Sequence, residues 1–193
     1  MKALIVRGAV CILASASLTA GGADLVVNGS FDTALANWTL QGGVALDTTD
    51  GAPSAGSAHM VVAGNAVNVA SLYQCINLVP TGVVDLLGSS FTQSVSGNAN
   101  TALRVDAFDA PACAGTALGT LAGAAVSTEQ GTNAIWTRFG LFNVTLNPNT
   151  QSVAISAVAI AAAPGDALDV LWDHIQFGPS GTLPVELLEF HVD

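Results

Sequence analysis

The chain has 193 residues and a formal net charge of −10, with fourteen carboxylates against four basic side chains. Such a surface repels phosphate backbones and anionic lipid, which argues against nucleic-acid binding and against a role at a membrane surface. Charged residues make up only 9% of the chain, where globular domains carry roughly 25%, so the surface must be built mainly from Ser, Thr, Asn, Gln and Gly.

In chain order, the first element is a leader. Lys2 and Arg7 form a charged front, Ala9 to Leu18 is an apolar stretch too short and too Ser/Ala-rich to span a bilayer, and small residues follow. The expectation is a signal peptide over residues 1–23, a mature start near Asp24, and therefore a secreted, extracellular protein of bacterial type. Both leader cations leave with it, so only Arg104 and Arg138 face the fourteen carboxylates. Cys11 lies in the leader, leaving Cys75 and Cys113. In an oxidising compartment two such cysteines most economically form one disulfide, which stabilises a fold by roughly 2–4 kcal/mol, and their spacing rules out a CxxC redox or zinc pair.

The remainder reads as strand after strand. "LVVN" (25–28) ends in Asn-Gly, "SAHMVVAG" (57–64) ends in Gly-Asn, and "VNVASLYQCINL" (67–78) stops before Pro80. "VVDLLGSSF" (83–91) leaves room for a turn of helix. In "TALRVDAF" (101–108) Leu103, Val105 and Ala107 alternate with Arg104, Asp106 and Phe108, so one face holds both charges. "FGLFNVTL" (139–146) and "SVAISAVAI" (152–160) flank an Asn-Pro-Asn turn, and "ALDVLWDHIQF" (167–177) closes the series. The apolar run 153–163 is rich in Val and Ile and too short for a membrane span, which reads as a strand buried on both sides or at the centre of a sheet. About nine or ten short strands punctuated by Gly, Pro and Asn predict an all-β, antiparallel β-sandwich, most simply a jelly roll, over residues 24–178. "GPSG" (178–181) reads as a linker, and residues 179–193 as a tail in which "LPVELLEF" could add an edge strand.

The opening "NGSFDTALANWT" (28–39), followed in order by "GSAHMVV", "SLYQCINL", "LRVDAFDAPACAG", "WTRFGLFNVTL", "SVAISAV" and "VLWDHIQFG", resembles the secreted carbohydrate-binding-module jelly rolls of the galactose-binding-like type. The resemblance spans nearly the whole mature domain. It implies a noncatalytic module for carbohydrate or a cell-surface ligand. It also implies a structural calcium where the first and last strands approach, held by Asp32 of the opening motif and Asp173 of the closing one with loop carbonyls, an oxygen set that suits a hard cation. This chain departs from the pattern at His174, where the family commonly has a second Asp, and at Ser30. Without calcium, Asp32 caps a turn and Asp173 accepts backbone hydrogen bonds. "DTTDG" (47–51) lacks the acids of an EF-hand and reads as a solvated loop.

Catalysis has little support. His59, His174 and His191 are scattered, no H-E-x-x-H or G-x-S-x-G occurs, and the pairs Asp106/Asp109 and Asp166/Asp169 have odd spacing that sends side chains to opposite faces of a strand. Sugar binding calls for an exposed aromatic platform, since pyranose C–H faces stack on aromatic rings. Trp38, Trp136 and Trp172 each read first as core or edge packing, and Tyr73 reads equally as exposed or as buried with a partner for its hydroxyl; Tyr73 and Trp136 are the ligand-binding candidates. The rival expectation is a structural subunit of an extracellular matrix or filament, self-associating through unpaired strand edges. The sequons at Asn28, Asn37 and Asn143 read as chance occurrences.

Overall fold

Period-two alternation places successive side chains on opposite faces, so a sequence patterned this way buries one face of each strand and leaves the other to water. The computed structural model describes residues 24–64, 68–78, 82–120 and 135–183. Its strands are β1 (Thr39–Gln41), β2 (Val44–Asp47), β3 (Ser57–Ala63), β4 (Asn68–Asn77), β5 (Val83–Ser96), β6 (Asn100–Phe108), β7 (Ala117–Thr120), β8 (Thr137–Thr145), β9 (Ser152–Ala161) and β10 (Ala167–Pro179). Two five-stranded sheets result, ordered β1-β4-β9-β6-β7 and β2-β3-β10-β5-β8, and every pairing is antiparallel. Neighbours in each sheet are mostly distant in sequence, as the expected jelly-roll sandwich requires. No helix among the described residues is long and apolar enough to cross a membrane.

The core lies between the sheets. Among the apolar residues in the core between the sheets are Leu103, Val105 and Ala107 of β6 and Val153, Ile155, Ala157, Ala159 and Ala161 of β9, which confirms the alternation of β6, and β9 takes the central place in its sheet. Trp172 of β10 is fully buried, packs against Phe139 at 6.2 Å between ring centroids, and donates its indole N–H to Thr101 Oγ1 at 2.8 Å. Burying the ring while satisfying its one polar atom lets a large amphipathic side chain fill a sandwich interior.

The opening stretch is architecture. Phe31 is fully buried and lies 5.4 Å from the Trp38 ring, and the two plug the sandwich beside Ile175 and Phe177. Asn28 adopts φ 57°, its amide donates to the carbonyls of Ala34 and Ala36, and its own carbonyl accepts from Trp38 Nε1 at 3.0 Å. Gly29 is required here, because a Cβ would sit 1.9 Å from the carbonyl oxygen of Ile175, whose N–H donates to the Gly29 carbonyl.

Three sequence expectations change. "LVVN" is no regular strand: Leu25 donates to Phe177 at 2.7 Å, and Asp24 caps the contact by accepting from Val26 and Phe177 N–H. "VVDLLGSSF" holds no helical turn; it is the first part of β5, 14 residues long and paired on both sides by β10 and β8. "GPSG" is no linker. β10 runs on to Pro179, Ser180 Oγ and Gly181 N donate to the two oxygens of Asp85, and Leu183 is buried, so ordered packing continues past residue 178. The signal peptide over 1–23, the possible edge strand at 184–188 and His191 lie outside the described residues.

Candidate functional site

The outer face of the β1-β4-β9-β6-β7 sheet carries a trough. Ladder register sets Thr39, Tyr73, Ser156 and Arg104 in one row across β1, β4, β9 and β6, and Gln41, Ser71, Val158 and Ala102 in the next. Adjacent strands lie about 4.8 Å apart, so Tyr73 and Arg104, two strands from each other, wall a channel floored by the small side chains of Ala154 and Ser156. The hollow measures about 250 Å³ and is lined by Gln41, Ser71, Tyr73, Arg104, Asp106 and Ser156 among others. Tyr73 is 40% exposed. Arg104 Nη2 donates to Asp106 Oδ1 at 3.3 Å, an ion pair two residues along the same face. Of these, sequence reasoning singled out Tyr73 alone; the two charges on the outer face of β6 were the legible signal for the rest.

Trp136, the other aromatic candidate, lies immediately before β8 of the opposite sheet, and the fold does not bring it to Tyr73. Its ring centroid is 5.8 Å from that of Phe91, and its indole N–H donates to Asp50 Oδ1 at 3.0 Å. Around it the outer face of the β2-β3-β10-β5-β8 sheet is partly roofed. Leu171 pairs with His59 and Phe91 and so points outward, yet it is fully buried, as Leu87 nearly is. The 47–51 loop is correspondingly more than a solvated loop: Asp47 Oδ1 accepts from Thr49 N and Oγ1, while Asp50 secures Trp136.

Asp32 lies near enough to Asp173 for its charge to act on that carboxyl. Asp173 is fully buried, with Oδ2 accepting from Ala52 N at 2.7 Å and Oδ1 from its neighbour His174 N at 2.6 Å. Burial, with the negative charge of nearby Asp32 adding to it, pushes the Asp173 carboxyl up to about 7 despite those two hydrogen bonds. Asp32 is exposed and accepts from Ser54 Oγ at 2.6 Å and Ser30 Oγ at 2.9 Å, bonds that lower its carboxyl below the ordinary range. Among the described residues no cluster of three acidic, His or Cys side chains forms a fuller metal site.

Cys75 and Cys113 are bonded, with Cα atoms 5.9 Å apart, as the cysteine count predicted. Cys75 sits two residues beyond Tyr73 on the same face, in the row of Ala154 and Asp106. The bridge tethers the 3-10 turn Pro111–Cys113 to β4.

No family model and no curated protein matches this chain. Solved structures do. A carbohydrate-binding module, TmCBM61 in complex with β-1,4-galactotriose, is 15% identical with a TM-score of 0.54, covering 82% of this chain and 99% of its own. The CBM22-1 xylan-binding domain of Paenibacillus barcinonensis Xyn10C is 18% identical with a TM-score of 0.56, covering 83% and 96%. An arabinose-bound α-L-arabinofuranosidase, MgGH51, is matched over only 26% of its length, at 17% identity and a TM-score of 0.51. The chain therefore has the antiparallel jelly-roll fold of carbohydrate-binding modules, a fold that also occurs as one domain of an enzyme.

Proposed function

We propose that the protein is a secreted, noncatalytic carbohydrate-binding module whose ligand lies in the trough beside Tyr73. The observation that carries this reading is the row Tyr73–Ser156–Arg104: an exposed ring, a small floor and a paired guanidinium give one apolar stacking surface flanked by hydrogen-bonding groups, the combination a sugar requires. Because Asp106 offsets the Arg104 charge, the trough suits a neutral glycan rather than a uronate chain. The fold it shares with modules that hold β-1,4-galactotriose and xylan supports the ligand class by analogy. Trp136, with its indole N–H bound to Asp50 and its ring against Phe91, serves packing instead.

Affinity electrophoresis through galactan and xylan tests the reading. Retardation of the wild-type chain that disappears in Tyr73→Ala supports it; equal mobility of the two proteins in both gels overturns it. Concentration-dependent polymers in sedimentation, with no retardation, would favour the matrix-subunit alternative.

Asp32 and Asp173, with Ser30 and Ser54 beside them, would hold a structural calcium that relieves the cost of ionising a buried carboxylate near a second negative charge. With only two acids in the set, that site would be a weak one.

A further inference from the structure

We propose that Asp106 sets the charge selectivity of the trough: it offsets Arg104 at the point where a ligand arrives, turns away sugar rings that carry a carboxylate, and on removal of its charge lets the same trough accept uronates. This inference rests on the trough reading above and adds to it the side chain that does the selecting.

Charge is scarce on this molecule, so its placement matters. Among the described residues the cationic side chains are Arg104 and Arg138, and Arg138 bonds Gln176 on the other sheet. Every other side chain lining the trough is neutral, so Arg104 is the one base of the lining and Asp106 its one acid. The two stand two residues apart on the same face of β6, with Oδ1 of Asp106 accepting from Arg104 Nη2 at 3.3 Å.

Register places the pair where it can read a ligand. Tyr73 and Arg104 occupy opposite walls with Ser156 between them, about 10 Å apart at two strand spacings, so a ring held on Tyr73 presents its far edge to Arg104. Asp106 lies further along the same wall, beside Ala154. A carboxylate on that edge would meet the guanidinium in the forked geometry that arginine favours. Asp106 already supplies a carboxylate there, and an incoming uronate must compete with it while meeting its negative charge.

Folding stability is a poor reason for the pair. The two side chains are 39% and 28% exposed, and an ion pair so open to water contributes little, because solvent screens it and both side chains must be ordered. The consequence for an anionic ligand is larger. Carboxylates farther than about 8 Å away are largely screened at physiological salt, so the field at a bound ring is set mainly by the acid and the base of this wall. Neutralising Asp106 adds one unit of positive charge to it.

The test measures binding to four immobilised glycans: galactan, xylan and a uronate-bearing form of each, namely galactan oxidised at C6 and glucuronoxylan. The wild-type chain should prefer the neutral form of whichever glycan it binds by roughly fivefold or more. Asp106→Asn keeps an acceptor for Arg104 and removes only the charge; it should erase that preference. Arg104→Gln should widen it, and the double variant Arg104→Gln/Asp106→Asn should bring it back to the wild-type ratio. A merely structural role would move the neutral and charged forms together and leave the ratio fixed. Equal wild-type binding of the two forms, or a ratio unmoved by Asp106→Asn, overturns the proposal and leaves the trough reading intact. Neutral binding that survives Tyr73→Ala unchanged overturns the trough reading whatever the ratio does, and a wild-type chain that binds none of the four overturns both.

Discussion

The two outer faces of the sandwich began from the same strand chemistry and ended differently. One carries an open trough in which Tyr73 is 40% exposed between small neighbours; on the other, Leu171 points outward yet is fully buried. The difference lies in what crosses each face. The 47–56 segment reaches Asp173 through Ala52 and Trp136 through Asp50, so the second face acquires a partial roof with a small apolar layer of its own. Tyr73 is therefore left open to solvent on the first face, whereas Trp136 on the second is drawn into packing by Phe91 and Asp50.

The largest effect that sharpens this contrast comes from Asp173, beneath the roofed side. Its ordinary value is 3.8 and the folded value is about 7, so as pH rises the unfolded chain ionises first and the folded state loses stability. The benefit of the neutral carboxyl is intact below about pH 4 and gone above about 7, a swing of up to about 4 kcal/mol at 1.36 kcal/mol per pH unit. Urea unfolding at pH 5 and pH 8 in a chelator should show that fall. Asp173→Asn should flatten it, and added calcium should restore stability at pH 8; a wild-type stability that does not change with pH would contradict the buried carboxyl.

Reduction of Cys75–Cys113 comes next, lowering stability by roughly 2–4 kcal/mol. It should also release the 3-10 turn from β4. Stability measured with and without reductant checks this.

A pair of substitutions can break the comparison outright. Trp136→Ala should cost about 2–3 kcal/mol in thermal unfolding, less than the 3–5 of a fully buried ring, and leave glycan retardation intact. Tyr73→Ala should do the reverse, with stability changed by under about 1 kcal/mol and affinity reduced roughly tenfold or more. If the two phenotypes are exchanged, the faces have been assigned the wrong way round.

The smallest effect belongs to Phe142. It is 63% exposed and lies over Gly140, where a Cβ would meet its ring at 2.7 Å. Phe142→Ser should shift stability by under about 0.5 kcal/mol and leave sedimentation unchanged; a loss of polymer on this substitution would revive edge-to-edge assembly.

Much of this molecule follows from local chemistry. Alternation in 101–108 and the Val/Ile run at 153–160 dictate strands of defined facing, because period two leaves no other way to bury their apolar halves. Two cysteines within 24–178 dictate one bridge, and the Asn-Gly motif with Phe31 and Trp38 dictates a plug. What tertiary structure alone decided is which strands became neighbours, and hence which side chains share a face. Tyr73, Ser156 and Arg104 are scattered along the chain and meet only through the register of three strands, while Trp136 is bonded to an Asp50 that no local pattern links to it. Helical turn and linker were misread at 83–91 and 178–181 for the same reason: pairing with β8 and β10 in one case, and the Asp85 carboxylate in the other, supply hydrogen bonds that outweigh local propensity. Strand character is a property of neighbours along the chain, but a binding face is a property of neighbours across the sheet, and only folding determines those.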